Sequence, residues 1–178
     1  MKRAEVRIKG IKISGECCLV RLQAAAPMIG VLPRFCRIMA GSRINLPFIT
    51  TVQRAGGSRV TCCVDAAQQA QVEQALHAHK TVKAHVSYTQ GIGLLTLFPH
   101  RSSLTLLGLS LRALAGADIR VLELASSIGA LTYVLDHSKL DQAADVLKSC
   151  FGLAGNHAPF RADFVVTQAT RAKRGIGE

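Results

Sequence analysis

Val31-Leu32-Pro33-Arg34-Phe35-Cys36-Arg37-Ile38-Met39-Ala40-Gly41-Ser42-Arg43-Ile44-Asn45 decides how this chain is read. Val31, Leu32, Phe35, Ile38 and Met39 follow helical spacing, and Ala40-Gly41-Ser42 ends it. Pro33 disrupts a helix interior but is tolerated in a first turn, so the helix is expected to start near Gly30 or Val31. Ile44 to Val52 then becomes rich in β-formers, with Pro47 marking an edge or a bulge. Upstream, Val6 and Ile8 alternate with Arg7 and Lys9, and Ile11 and Ile13 with Lys12 and Ser14. That is strand periodicity, and Cys17 to Leu22 continues it as a more buried strand. Downstream, Arg54 to Ser58 reads as a hairpin turn and Arg59 to Val64 as the returning strand. Ala66 to His79 reads as a helix and Val82 to Tyr88 as a strand. The order from Cys17 onward is β-α-β-β-α-β.

The same order recurs. Leu94 to Phe98 is a strand, Leu104 to Ala115 a helix, Ile119 to Leu124 and Ala130 to Leu135 a hairpin, and Leu140 to Phe151 a helix. Phe160 to Val166 is expected as the last strand, although the N-terminal strand Val6 to Ile13 is an alternative addition to an edge. Val64-Asp65 aligns with Leu135-Asp136, Gln71 with Gln142 and Leu76 with Leu147, an offset of 71. Ala40-Gly41 aligns with Ala115-Gly116 and Ile44 with Ile119, an offset of 75. The difference is a shorter second hairpin. An internal duplication accounts for both length and order. The expected fold class is α+β: two ferredoxin-like βαββαβ units, each an antiparallel sheet with its helices on one face. The expected boundaries are 1–90, including the extra N-terminal strand, and 91–167, with a basic tail over 168–178. The helix-free faces must be covered, by each other or by a second copy.

The chain has 178 residues, 22 Lys and Arg against 11 Asp and Glu, and a formal charge of +11. Hydrophobic residues make up 49% and charged residues 19%, which supports a buried core and excludes a disordered tail. Aromatic residues make up only 4%, too few for a protein that reads single strands by stacking. Residues 1–90 hold 13 basic and 4 acidic residues, so +9 of the charge belongs to the first repeat. No apolar run reaches the roughly 18–20 residues of a membrane span. No apolar stretch follows the basic start, so an export signal is not expected. The six cysteines, at 17, 18, 36, 62, 63 and 150, have no CxxC spacing and are expected as reduced thiols in a cytoplasm. Cys17-Cys18 and Cys62-Cys63 should lie on adjacent strands, one of each pair on each face. His77 and His79 point to different faces of a helix and, with His85, do not suggest a metal. No nucleophile elbow or triad motif is present.

The stretch from Gly30 to Ala40, followed by Ile44-Asn45-Leu46-Pro47-Phe48-Ile49, resembles the ACT family of small ligand-sensing modules. The second copy, through Ile119-Arg120-Val121, Ser126-Ser127-Ile128-Gly129-Ala130-Leu131-Thr132-Tyr133-Val134-Leu135 and Asp141 to Leu153, is similar to the paired regulatory ACT domains of aspartokinases. The resemblance covers residues 15–153. It implies a non-catalytic regulatory protein that binds a small effector, in the first instance an amino acid. It also implies a homodimer, a change in domain packing or in a partner enzyme on binding, and no cofactor. The implied site in the first repeat is Ala26, Pro27, Met28, Ile29 and Gly30, acting through backbone N–H groups at a helix start, with Asn45. This loop has no acid to hold an amine. The corresponding set in the second repeat is His100, Arg101, Ser102, Ser103 and Arg120, which suits an anion. The competing readings are a solvated loop with a serine as a helix cap and, at the level of function, a basic adaptor for nucleic acid or an acidic protein.

Overall fold

The computed structural model describes residues 6–25, 28–79, 85–99, 101–153 and 160–161. In chain order these form β1 (Arg7–Ile8), β2 (Gly10–Ile13), β3 (Cys17–Ala24), α1 (Met28–Gly41), β4 (Phe48–Arg54), β5 (Gly57–Asp65), α2 (Gln69–Ala78), β6 (His85–Phe98), α3 (Leu104–Gly116), β7 (Glu123–Ser126), β8 (Leu131–Asp136), α4 (Leu140–Cys150), β9 (Gly152–Leu153) and β10 (Phe160–Arg161). The fold is α+β, and its sheet is antiparallel apart from two short parallel pairs, β1 with β9 and β10 with β2.

Two ferredoxin-like units are present, and one strand serves both. The N-terminal half of β6 pairs with β3, and the order continues through β5 to β4. The C-terminal half of β6 pairs with β2 and with β8, and β8 with β7. The strands expected at Val82–Tyr88 and Leu94–Phe98 are thus one strand over their described residues, and position 90/91 falls inside it. A bulge opposite Cys17 and Leu19, with Gly91 at φ +67°, marks the change between units. Bulges bend and twist a strand without ending it.

The place beside the C-terminal half of β6 is held by β2, from the N-terminal stretch Val6 to Ile13, the alternative to Phe160–Val166. Ile11 is buried with Leu95 and Leu97 in one cluster, and Gly10–Ile13 runs antiparallel to Leu95–Phe98. The described pair Phe160–Arg161 lies outside β2 and parallel to it; residues 162–166 lie outside the described residues.

The helix read from Val31 begins earlier, at Met28. Pro33 therefore sits in the second turn, where it leaves the Ile29 carbonyl without its i+4 donor. The strand read from Ile44 begins at Phe48, after Pro47, which has no N–H to give to a ladder. The two aligned aspartates do the same work. Asp65 accepts from the Ala67 N–H at 2.9 Å and Asp136 from the Ser138 N–H at 3.0 Å, each starting a short 3-10 turn before a helix. Hydrogen bonds from Ser138 hold the Asp136 carboxyl below its ordinary range.

Strand alternation splits the apolar residues into three clusters. Cys18, Val20, Leu22, Val60, Cys62 and Val64 face α1 and α2, packing on Phe35, Met39 and Val72. Leu95, Leu97, Leu131, Tyr133 and Leu135 face α3 and α4, packing on Leu106, Leu114 and Leu147. The third cluster joins the helix-free faces. Cys17, Leu19, Phe48 and Cys63 of the first unit meet Ile92, Leu94 and Val134 of the second. The Arg21 guanidinium bonds Glu123 Oε1 at 3.2 Å beside this cluster. The two bare faces therefore cover each other, as their composition required. Each cysteine pair is divided between faces, and all four buried thiols are pushed up by desolvation, Cys62 to about 12.

Candidate functional site

The residues expected to bind a ligand in the first unit fall at the two ends of α1. Ala26 and Pro27 lie outside the described residues. Met28, Ile29 and Gly30 form the first turn of α1; Ile29 is 86% exposed, and open space lies where a Gly30 side chain would project. Asn45 follows the other end of the helix. Fourteen residues at 1.5 Å each put about 20 Å between the two ends. Gly30 and Asn45 of one chain therefore do not converge.

The second unit repeats this arrangement. His100 lies outside the described residues. Arg101 and Ser102 both have left-handed backbones, at φ +50° and +53°, and turn the chain into α3. The Ser103 hydroxyl caps that helix, accepting from the Leu106 N–H at 3.1 Å. The Arg101 N–H donates to the Ile128 carbonyl at 2.9 Å, which ties this turn to the β7–β8 hairpin. Arg120 follows the far end of α3 and is exposed. Residues 101–103 are thus brought together, and Arg120 is not among them. Leu104 occupies the place of Ile29 at the offset of 75, and both are largely exposed. Ile128, bonded through its carbonyl to Arg101, is exposed as well.

A cleft of about 420 Å³ opens at the hairpin end of the first unit, lined by Gln23, Ala24, Ala25, Val52, Gly56, Gly57, Ser58 and Arg59. Register builds it. Arg59 stands opposite Gln23 on β3 and Val52 on β4, so these three share the helix-free face. Gly57, at φ +142°, brings the hairpin hard against the end of β3. A Cβ at this position would lie 2.4 Å from the Ala24 carbonyl oxygen, a position no L-residue could take without moving the chain. The Arg59 Nε is buried and has no hydrogen-bond partner. One diagonal step away, Arg21 has the Glu123 carboxylate. Among the described residues, no acidic side chain lines the cleft. Sequence reading placed Arg59 only as the start of a strand. The signal lay in the alternation, since Arg59 falls in step with Thr61 and Cys63, which are buried.

Among the described residues, no group of three His, Cys, Asp or Glu side chains is placed to hold a metal, and no helix is long and apolar enough to cross a membrane. No family model and no curated protein matches this sequence. Solved structures do match. The ligand-free regulatory subunit of aspartate kinase from Thermus thermophilus superposes at a TM-score of 0.73 and 11% identity, covering 82% of this chain and 99% of that one. A structure of aspartokinase alpha and beta subunits gives 0.72 and 16%, covering 80% and 97%. This chain has the fold of aspartokinase regulatory domains. E. coli aspartokinase III in complex with lysine and aspartate, in its T-state, superposes at 0.62 and 16%, covering 85% of this chain and 35% of that one. The ACT resemblance read from residues 15–153 therefore holds at the level of the fold across most of the chain.

Proposed function

We propose that this chain is a non-catalytic regulatory module that binds a small effector, in the first instance an amino acid, and acts as a homodimer on a partner enzyme in the cytoplasm. One observation carries the reading. Two ferredoxin-like units share β6 and bury their bare faces on each other, in the fold of an aspartate kinase regulatory subunit. A strand common to both units gives a mechanical reason for one to respond when the other is occupied. Binding that favours one packing of the shared cluster would shift the population of both. The units are read as residues 17–89, and as residues 92–151 with β2 added beside β6. The proposed effector contacts are the two segments at the helix starts, residues 26–30 and 101–103, where the positive end of a helix suits a carboxylate. The complex of E. coli aspartokinase III with lysine and aspartate supports an amino acid as the first class to test.

The test is a thermal-shift screen of the full chain against the amino acids and their close metabolites. An effector at one hundred times its Kd stabilises by about 2.7 kcal/mol. For a protein of this size that raises Tm by about 5–10 °C. A panel in which no compound moves Tm would remove the effector reading.

A further inference from the structure

We infer that the cleft between the β4–β5 hairpin and the end of β3 is a binding site for a small monocarboxylate, with Arg59 as its anchor. This deepens the effector reading and rests on it, because the cleft opens at Ala24 and Ala25, shortly before the start of α1. Three observations converge. Arg59 lines the cleft, and its Nε is buried with no hydrogen-bond partner. Buried donors are normally satisfied, so a missing acceptor is expected at this point. The cleft also has no carboxylate of its own, whereas the neighbouring Arg21 already has one in Glu123. Finally, the walls are fixed: Gly57 lies against the Ala24 backbone so closely that no side chain fits between them.

The lining selects among anions. A guanidinium presents Nε and Nη as a planar fork, which matches the two oxygens of a carboxylate. Among the described lining residues Arg59 is the one cation, so a singly charged group is matched and a phosphate dianion is not. Ala24, Ala25 and Val52 offer a short apolar wall for an aliphatic stem, and Gln23 offers an amide at its rim. About 420 Å³ is within the usual range for small-molecule sites. No acid is present to hold an ammonium group, so the α-amine of an amino acid is not required at this end of the ligand.

The experiment is an NMR titration of the full chain at constant ionic strength with butyrate, its neutral isostere butyramide, and inorganic phosphate. Butyrate should move the Arg59 Nε–Hε and Gly57 amide resonances saturably, and butyramide should not. Arg59→Gln should weaken butyrate at least tenfold, and Val52→Phe, which fills the cleft and keeps the charge, should do the same. If Arg59→Gln fails to fold, Val52→Phe still decides. Equal response to butyrate and butyramide, tighter binding of phosphate, or wild-type binding by both variants would overturn the assignment. The wider reading fails separately. An amino acid that stabilises wild type and Arg59→Gln equally would remove this site and leave the effector role. Butyrate binding through Arg59, with no stabilising amino acid, would leave the site and remove the amino-acid role.

Discussion

Leu19→Ala probes the joint between the two units. Leu19 is fully buried on the helix-free face of β3, where it meets Phe48 and Cys63 from its own unit and Ile92, Leu94 and Val134 from the other. Truncation removes the transfer energy of the side chain and leaves a cavity between the two halves of the sheet. Each half is held from behind by its helices and cannot collapse freely. Leu→Ala changes at such sites cost about 2–5 kcal/mol, and we expect about 3 kcal/mol here. At about 2–4 °C per kcal/mol for a chain of this length, Tm falls by about 6–12 °C. The shape of the transition tells more than its position. Because β6 and the shared cluster bind the units together, both should unfold in one step before and after the mutation. Calorimetry with a parallel urea melt measures this, and Ile128→Ala, at an 81% exposed site, serves as a control expected within about 0.5 kcal/mol of wild type. A loss under about 1 kcal/mol, or two separate transitions of which only one moves, would refute a joint built on these bare faces.

Three further outcomes follow from the same geometry. Gly57→Ala should destabilise by more than the about 1–3 kcal/mol of a strained backbone alone, because the new Cβ meets the Ala24 carbonyl oxygen; circular-dichroism melts check this. Only Cys36 and Cys150 should react quickly with a thiol reagent in the native protein, because Cys17, Cys18, Cys62 and Cys63 are buried and free. Their raised pKa values also set a pH trend. The folded Cys62 thiol keeps its proton to about 12, while the unfolded thiol loses it near 9.0. Its contribution is therefore complete below pH 9 and is lost as pH rises toward 12. Alkaline melts should show this decline, and Cys62→Ala should blunt it.

Much of the fold was legible because the duplication repeats its chemistry as well as its pattern. Val64-Asp65 and Leu135-Asp136 each end a buried strand with an aspartate that starts the next turn. Period-two alternation also divided Cys17-Cys18 and Cys62-Cys63 between faces, as found. The continuity of β6 was hidden because the strands read at Val82–Tyr88 and Leu94–Phe98 are separated by Gly91 and Gly93, and the structure uses the first at a bulge. The second packs against Leu140, whose Cδ1 would lie 2.5 Å from any added Cβ. The position of β2 was hidden for another reason. A four-residue strand carries its alternation but not the identity of its partner, and β2 lies more than eighty residues in sequence from the part of β6 it pairs with. The site was less legible. Asn45 and Arg120 came from a resemblance between motifs, and each lies a helix length from the turn it was grouped with. Arg59 carries no motif, and only the register across β3, β4 and β5 shows that its Nε is enclosed.

The central claim, that this fold serves effector binding, is most directly tested by isothermal titration of the full chain with each amino acid and its close metabolites. The account predicts saturable heat for at least one of them. Absence of saturable heat from every compound, up to about 10 mM and at two temperatures so that a zero-enthalpy crossing is not mistaken for silence, would contradict it.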